Sequence, residues 1–148
     1  MMKICKLNKL PDDSLINNEI YNIDYQDTYM IAKNTMESVD EIKTRIFTLP
    51  EWIQMLLRIR YYMFVKPFGL KTGNHEIPTL FMDENEIVIG EDDRHLYFRI
   101  SILKREVNSE TKIYLTTIVR YNNLWGNCYF FLIKPFHKLV VKALLKRI

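Results

Sequence analysis

Hydrophobic and polar positions alternate along two stretches in the second half of the chain. The apolar positions are Leu96, Phe98, Ile100 and Ile102, and then Ile113, Leu115, Thr117, Val119 and Tyr121. A period of two with one apolar face is typical of antiparallel strands whose other face meets solvent. Together with two shorter segments at residues 78–82 and 87–90, this pattern predicts an antiparallel sheet.

The pattern changes to a helical period after the sheet. From Leu124 to Arg147, apolar residues recur at Cys128, Leu132, Phe136, Leu139, Val140, Ala143 and Leu144. Pro135 interrupts this segment, so either one helix kinks there or a second helix begins with Pro135 in its first turn. A continuous helix would be about 35 Å long, enough to cross a small sheet diagonally.

Two shorter helices are predicted before the sheet segments. Ser38 and Glu41 have the spacing of a capping box, and Thr48 and Glu51 repeat it at the start of a second helix that ends near residue 65. A strand with a polar side is predicted for residues 21–33. Residues 1–19 are predicted to be a weakly defined lead-in with a turn.

This order of elements predicts an α+β fold. We expect a curved antiparallel sheet, two short helices after its first strand, and a long C-terminal helix packed across the sheet. At 148 residues, the chain has the length of one domain, so we expect a single domain over residues 1–148. A layout of this kind often encloses an apolar pocket.

Charge and cysteine content exclude several classes of function. The net charge of +3 is too balanced for the basic stripe of a nucleic-acid-binding protein. Cys5 and Cys128 are too few for a disulfide framework or a four-ligand zinc site. The first residues lack the apolar run of a signal peptide, so we expect a cytoplasmic protein.

A row of lysines follows the predicted C-terminal helix at a spacing of four: Lys134, Lys138, Lys142 and Lys146. Such a row forms one exposed stripe on a helix. Because we expect the opposite, apolar face to be covered by the sheet, shallow contact with anionic lipid is the most that the row predicts. Stable membrane insertion is not expected, and the acidic cluster between residues 83 and 93 is expected to be a solvated face.

Two runs of residues resemble a known family. The first is Gly90-Glu91-Asp92-Asp93-Arg94-His95-Leu96-Tyr97-Phe98-Arg99, and the second is Val119-Arg120-Tyr121-Asn122-Asn123-Leu124-Trp125-Gly126. They are similar to the central and closing signatures of a bacterial family known as domain of unknown function 2867. The resemblance implies membership in the START and polyketide-cyclase-like (SRPBCC) group, whose helix-grip fold holds ligands between sheet and C-terminal helix. It implies no activity.

Turn chemistry explains the one local cluster of residue types that could bind a metal. Asp92, Asp93 and His95 follow Gly90, and aspartate side chains in turns commonly bond nearby amides. We therefore expect no metal and no cofactor. His137 follows Pro135-Phe136, and its ring is expected to bond a backbone group or water, with a role at a pocket mouth as the alternative.

Our main hypothesis for function is non-catalytic binding of a small hydrophobic or amphipathic molecule. The expected cavity residues are Trp52, Met55, Phe98, Ile100, Leu115, Thr117, Val119, Leu132, Phe136, Leu139 and Val140. One alternative is a small cyclase- or isomerase-like enzyme that uses His95, Arg99 and Tyr97 on a bound carbonyl. Another is a homodimer formed through an exposed surface of Tyr97, Tyr114 and Ile118.

Overall fold

The computed structural model describes residues 3–18, 22–68 and 77–148, without the side chains of residues 18, 57, 60, 64, 65 and 68. Its strands are β1 (Cys5–Leu7), β2 (Tyr25–Ala32), β3 (Thr79–Met82), β4 (Glu86–Asp92), β5 (Leu96–Val107) and β6 (Glu110–Tyr121). Its α-helices are α1 (Val39–Phe47), α2 (Glu51–Arg60), α3 (Lys66–Phe68) and α4 (Leu124–Leu145). A 3-10 turn covers Leu15–Asn18, and a π-helical turn, Tyr61–Val65, joins α2 to α3. The sequence also predicts a polar loop at residues 71–78, and its residues 71–76 lie outside the described residues.

The described strands form one antiparallel sheet in the order β1-β2-β6-β5-β4-β3. Its centre is the β5–β6 hairpin, in which Val107 pairs with Glu110 across a two-residue turn. Both turn residues, Asn108 and Ser109, have positive φ angles of 52° and 64°. That conformation matches the right-handed twist of the flanking strands, as expected for a tight hairpin. The α+β class and the antiparallel sheet are therefore confirmed.

One face of the sheet, here called the helix face, carries the main apolar core. It packs against α1 and the second half of α4. The buried residues shared by these elements are Ile31, Val39, Ile42, Ile46, Ile87, Ile89, Ile102, Ile113, Leu115, Val141, Leu144 and Leu145. The alternation on β5 and β6 thus places its apolar residues on the helix face, as the sequence predicts.

The capping box at the start of α1 is formed as predicted. The Ser38 amide donates to Glu41 Oε2 at 2.7 Å, and the Glu41 amide donates to Ser38 Oγ at 3.2 Å. The second predicted box is wrong, because the Thr48 hydroxyl donates to the carbonyl of Thr44, 2.7 Å away, at the end of α1. The Pro50 carbonyl instead accepts the Ile53 and Gln54 amides at the start of α2.

Helix α4 is one continuous helix of 22 residues that passes through Pro135. Its buried residues are Gly126, Tyr129, Phe130, Val141, Leu144 and Leu145. The predicted inner stripe through Cys128, Leu132, Phe136 and Leu139 is wrong, because these residues are exposed. Apolar residues lie on almost every side of this helix, so two different stripes of residues have the helical period. Contact with the sheet buries the stripe that contains Tyr129, Phe130, Val141 and Leu144.

The contact that selects this stripe lies where β6 passes into α4. Gly126 packs against the backbone of His95, so closely that a Cβ would lie 1.9 Å from the His95 carbonyl oxygen. Asn123 caps the helix by accepting the Gly126 amide at 3.0 Å, and its Nδ2 lies 3.0 Å from His95 Nδ1. The Asn122 amide donates to the same His95 carbonyl at 2.9 Å. We call residues 93–95 and 122–126 the β6–α4 junction.

The opposite face of the sheet is covered by the N-terminal segment, contrary to the predicted solvated face and loose lead-in. Ile16 in the 3-10 turn packs against Ile118 of β6, and both are fully buried. Glu86, expected on a solvated acidic face, is also buried. It accepts the hydroxyls of Ser14 and Ser101 and the Leu15 amide.

The surface expected for a homodimer is therefore largely covered. Ile118 and Tyr114 are buried, and Tyr97 is half-buried. Tyr97 packs against the Ile16–Ile118 cluster, and the Arg120 guanidinium lies 4.5 Å from its ring centroid. The alternation alone could not show this, because the covering segment lies far away in the sequence.

We expect Gly126→Ala to lower the free energy of unfolding by about 2–3 kcal/mol, although alanine is the better helix former. The added methyl group would overlap the His95 carbonyl, so the first turn of α4 has to move. Urea denaturation measures the change. The control is Asn127→Ala, at an exposed position of the same turn, which should leave stability unchanged or slightly raised. Equal stability of both variants would contradict the close packing of Gly126.

We expect Glu86→Ala to destabilise the fold by about 3 kcal/mol, because it leaves three buried donors without their acceptor. Amide hydrogen exchange of Leu15 and Ile16 should accelerate more than exchange in β6, since Glu86 holds the N-terminal segment. The control is Glu84→Ala, at an exposed position. Unchanged exchange at Leu15 would contradict this role of Glu86.

Candidate functional site

A cavity of about 440 Å³ lies between the helix face of the sheet and helices α1 and α4. Strands β4, β5 and β6 supply Ile89, Leu96, Phe98, Ile100, Leu115, Thr117 and Val119. Helix α4 supplies Tyr129, Phe130, Ile133, His137, Val140, Val141 and Leu144. The remaining wall consists of Lys43, Ile46, Phe47, Leu49, Ile53 and Ile77. The lining is mostly aliphatic and aromatic, with few polar groups.

The structure brings together six of the eleven expected cavity residues: Phe98, Ile100, Leu115, Thr117, Val119 and Val140. The other five, Trp52, Met55, Leu132, Phe136 and Leu139, lie at exposed positions outside the lining. The three on α4 lie outside the cavity because the β6–α4 junction orients the helix with its opposite stripe toward the sheet. On α2, the buried residue that reaches the cavity is Ile53.

Three polar side chains meet beside this cavity, and His137 is the one of them that lines it. His137 Nε2 lies 3.0 Å from Asp27 Oδ2, and the Tyr25 hydroxyl donates to the same oxygen at 2.6 Å. Asp27 is on β2 opposite Thr117, so the register of the sheet directs it toward the helix face. Because a carboxylate only accepts hydrogen bonds, His137 donates its Nε2 proton to Asp27. Among the described residues, none bonds Nδ1 of His137.

Aromatic rings enclose this polar group. The centroid of the Phe130 ring lies 4.8 Å from that of Tyr25 and 6.1 Å from that of His137. Lys134 Nζ lies 5.0 Å from the centroid of the Tyr25 ring. Burial, together with the hydrogen bond to Asp27, raises the pKa of Tyr25 far above its ordinary value. Tyr25 therefore stays a neutral hydrogen-bond donor in this site.

Asp27 has one carboxylate oxygen without a partner. Its side chain is 1% exposed, and Oδ1 has no hydrogen-bond partner among the described residues. A buried polar atom left unpaired costs free energy unless something satisfies it. Of these groups, His137 lines the cavity, and it can accept a hydrogen bond at Nδ1 while Nε2 is bonded to Asp27.

The residues expected for catalysis do not converge on the cavity. Tyr97 and Arg99 alternate with Leu96 and Phe98, so they point to the opposite face of the sheet. The Arg99 side chain crosses Gly90, where a Cβ would lie 2.6 Å from Arg99 Cδ. Its Nη1 then donates to Asp92 Oδ1 at 2.7 Å.

His95 belongs to the β6–α4 junction, where it bonds Asn123. The two sequence runs that resemble the family signatures meet there. The Asn122 side chain also donates to the carbonyl of Asp93 at 3.1 Å. Both runs therefore hold α4 in position. The described residues contain no group of acidic, histidine and cysteine side chains able to hold a metal ion.

Sequence reasoning missed Asp27, and for His137 it favoured a bond to the backbone or water over a role at a pocket mouth. The signal for Asp27 was its position between Tyr25 and Tyr29, which share its side of β2. The signal for His137 was its helical spacing from Phe130, Ile133 and Val141, the stripe that the sheet covers. Neither signal shows that the two residues meet, because 110 positions separate them.

Comparison with known proteins gives a family but no ligand. A family model described as "Protein of unknown function (DUF2867)" matches residues 20–144, which is most of the chain. No curated protein and no solved structure matches it. In the described ranges, no helix is both long and apolar enough to span a membrane.

The buried tyrosines predict loss of stability in alkaline solution. Burial raises the pKa of Tyr25, Tyr29 and Tyr121, with Asp27 and Asp24 adding to it. A tyrosine in the unfolded chain loses its proton at about pH 10, while these tyrosines keep theirs in the folded protein. The free energy of unfolding is therefore unaffected below that pH and falls above it. Denaturation between about pH 9 and 11 measures the slope.

Tyr29→Phe should reduce this slope, because Tyr29 is fully buried and its titration is removed. The control is Tyr62→Phe, at an exposed position, which should keep the slope of the unmodified protein. Identical slopes for the two variants would contradict the raised pKa of Tyr29.

Proposed function

We propose that this chain, which belongs to the DUF2867 family of proteins of unknown function, binds a small hydrophobic or amphipathic molecule in the cavity between its sheet and α4. The observation that carries the proposal is an apolar cavity of about 440 Å³ whose lining contains few polar side chains, among them Thr117 and His137. Small-molecule sites have this character and typically range over about 300–1,000 Å³.

The polar group indicates how such a ligand lies. Its apolar body contacts the side chains of β5, β6 and α4, and its polar end approaches His137 and Thr117. With Nε2 bonded to Asp27, neutral His137 offers Nδ1 as an acceptor. A ligand hydroxyl can donate to that nitrogen.

The order of elements supports placing the chain in the helix-grip group of START- and polyketide-cyclase-like domains. The strand β2 is followed by α1 and α2, then by strands β3 to β6 and the long α4. The cavity lies between sheet and terminal helix, where that group holds its ligands. On this proposal, residues 1–148 form one such domain.

A second candidate function is proton transfer to or from the bound molecule, with His137 in the role first considered for His95. The observation that favours it is the chain of hydrogen bonds from Tyr25 through Asp27 to His137. A base oriented by a neighbouring carboxylate is a common arrangement in enzymes. Solvent deuterium appearing in a recovered ligand, and absent with His137→Gln, would identify this activity.

We expect Val140→Trp to lower the affinity for 1-decanol by at least about tenfold, because the larger side chain fills a ligand-sized cavity. Isothermal titration calorimetry measures the affinity. The matched control is Leu139→Trp, at the next residue of α4, which is exposed and outside the lining, so its affinity should stay unchanged. Thermal melting checks that both variants fold.

The polar end of the ligand is tested with His137→Phe, which removes the acceptor nitrogen, whereas glutamine would keep an acceptor oxygen. This variant should weaken 1-decanol binding while leaving decane binding unchanged, since only the alcohol needs an acceptor. Native mass spectrometry after gentle purification should also detect a retained apolar molecule. No binding of either compound and no retained molecule would overturn the proposal.

A further inference from the structure

The outer face of α4 is strongly apolar between residues 124 and 139. This face lies opposite the buried stripe, and its exposed apolar residues are Leu124, Phe131, Leu132, Phe136 and Leu139. Leu124 and Phe131 are each 74% exposed, and Trp125 beside them is 59% exposed. Contiguous exposed apolar surface of this kind commonly marks a protein or membrane contact.

The same helix carries only positive charge. From residue 124 to 148, the sequence contains Lys134, Lys138, Lys142, Lys146 and Arg147, and no aspartate or glutamate. Lys142 and Lys146 are exposed on the second half of the outer face. Within the part of the chain that the structure describes, none of the four lysines pairs with a carboxylate.

We propose that the outer face of α4 docks this protein on an anionic lipid surface. Leu124, Phe131 and Leu132 enter the boundary between head groups and acyl chains, and Lys138, Lys142 and Lys146 contact the anionic head groups. Large apolar and aromatic side chains together with lysines on one exposed helix are typical of helices that lie in the membrane interface. Docking leaves the helix packed on its own sheet, so no span is required.

Charge favours a lipid surface over a second copy of the chain. A symmetric dimer presents the same patch twice, so α4 would meet α4. Neither helix has an acidic side chain to offset the lysines of the other, and like charges brought together oppose association. An anionic bilayer supplies the missing negative charge and an apolar phase at the same place.

Vesicle flotation tests the proposal with the full chain, at physiological ionic strength, on phosphatidylcholine alone and on phosphatidylcholine mixed with phosphatidylglycerol. We expect binding to the mixed vesicles, weakened by added salt, and little binding to phosphatidylcholine alone. The double variant Lys138→Gln/Lys142→Gln should bind at least about tenfold more weakly. Leu124→Ser/Phe131→Ser should also lose binding.

Two matched controls distinguish binding through the outer face of α4 from nonspecific attraction of the protein to the vesicles. Lys6→Gln/Lys9→Gln removes the same charge from exposed positions in and beside β1, and Met36→Ser removes a fully exposed apolar residue far from α4 in sequence. Both should bind as the unmodified chain does. With Trp52→Phe, the remaining Trp125 should shift its fluorescence to the blue on mixed vesicles.

No flotation with mixed vesicles, or equal loss in the lysine variant and its control, would overturn the proposal. Light scattering tests whether a second copy of the chain binds this face instead. A dimer that becomes a monomer in Leu124→Ser/Phe131→Ser would show that a second copy covers this face. Thermal melting of each variant shows that it still folds. These measurements do not depend on whether the cavity holds a ligand, so the two proposals can fail separately.

Discussion

The rest of the structure depends on where α4 begins against the sheet. Gly126 lies against the carbonyl of His95 with no room for a Cβ, and Asn123 caps the helix at the same point. Because an α-helix is stiff, fixing its first turn also fixes which side chains face the sheet near its end. The cavity wall, the contact of His137 with Asp27 and the exposed outer face all follow from that one rotation.

Two buried carboxylates show how the two faces of the sheet differ. Glu86, under the N-terminal segment, uses both oxygens to accept hydrogen bonds from Ser14, Leu15 and Ser101. Asp27, beside the cavity, accepts two bonds at one oxygen and none at the other among the described residues. Glu86 therefore uses its hydrogen-bonding capacity within the fold, while Asp27 keeps one buried oxygen that the described residues leave unpaired.

The two walls of the candidate site differed in how far they could be predicted. The strand residues Phe98, Ile100, Leu115, Thr117 and Val119 follow from alternation, because a period of two leaves only two faces and only one is apolar. The helix residues did not follow, because α4 is apolar on nearly every side. Two stripes on α4 have apolar residues at helical spacing. Of the four α4 residues expected in the cavity, Val140 alone lies on the stripe that the sheet covers.

The sequence by itself determined the features that depend on neighbouring residues: the strands β3 to β6, the capping box of α1, and the apolar alternation that makes one wall of a cavity. Only the tertiary structure decided the rotation of α4, the covering of the opposite face by Ile16, and the meeting of His137 with Asp27. Local patterns arise from backbone geometry, which a few adjacent residues specify. Contacts between distant segments arise from packing, and here the close fit of Gly126 against His95 helps decide which side of α4 faces the sheet.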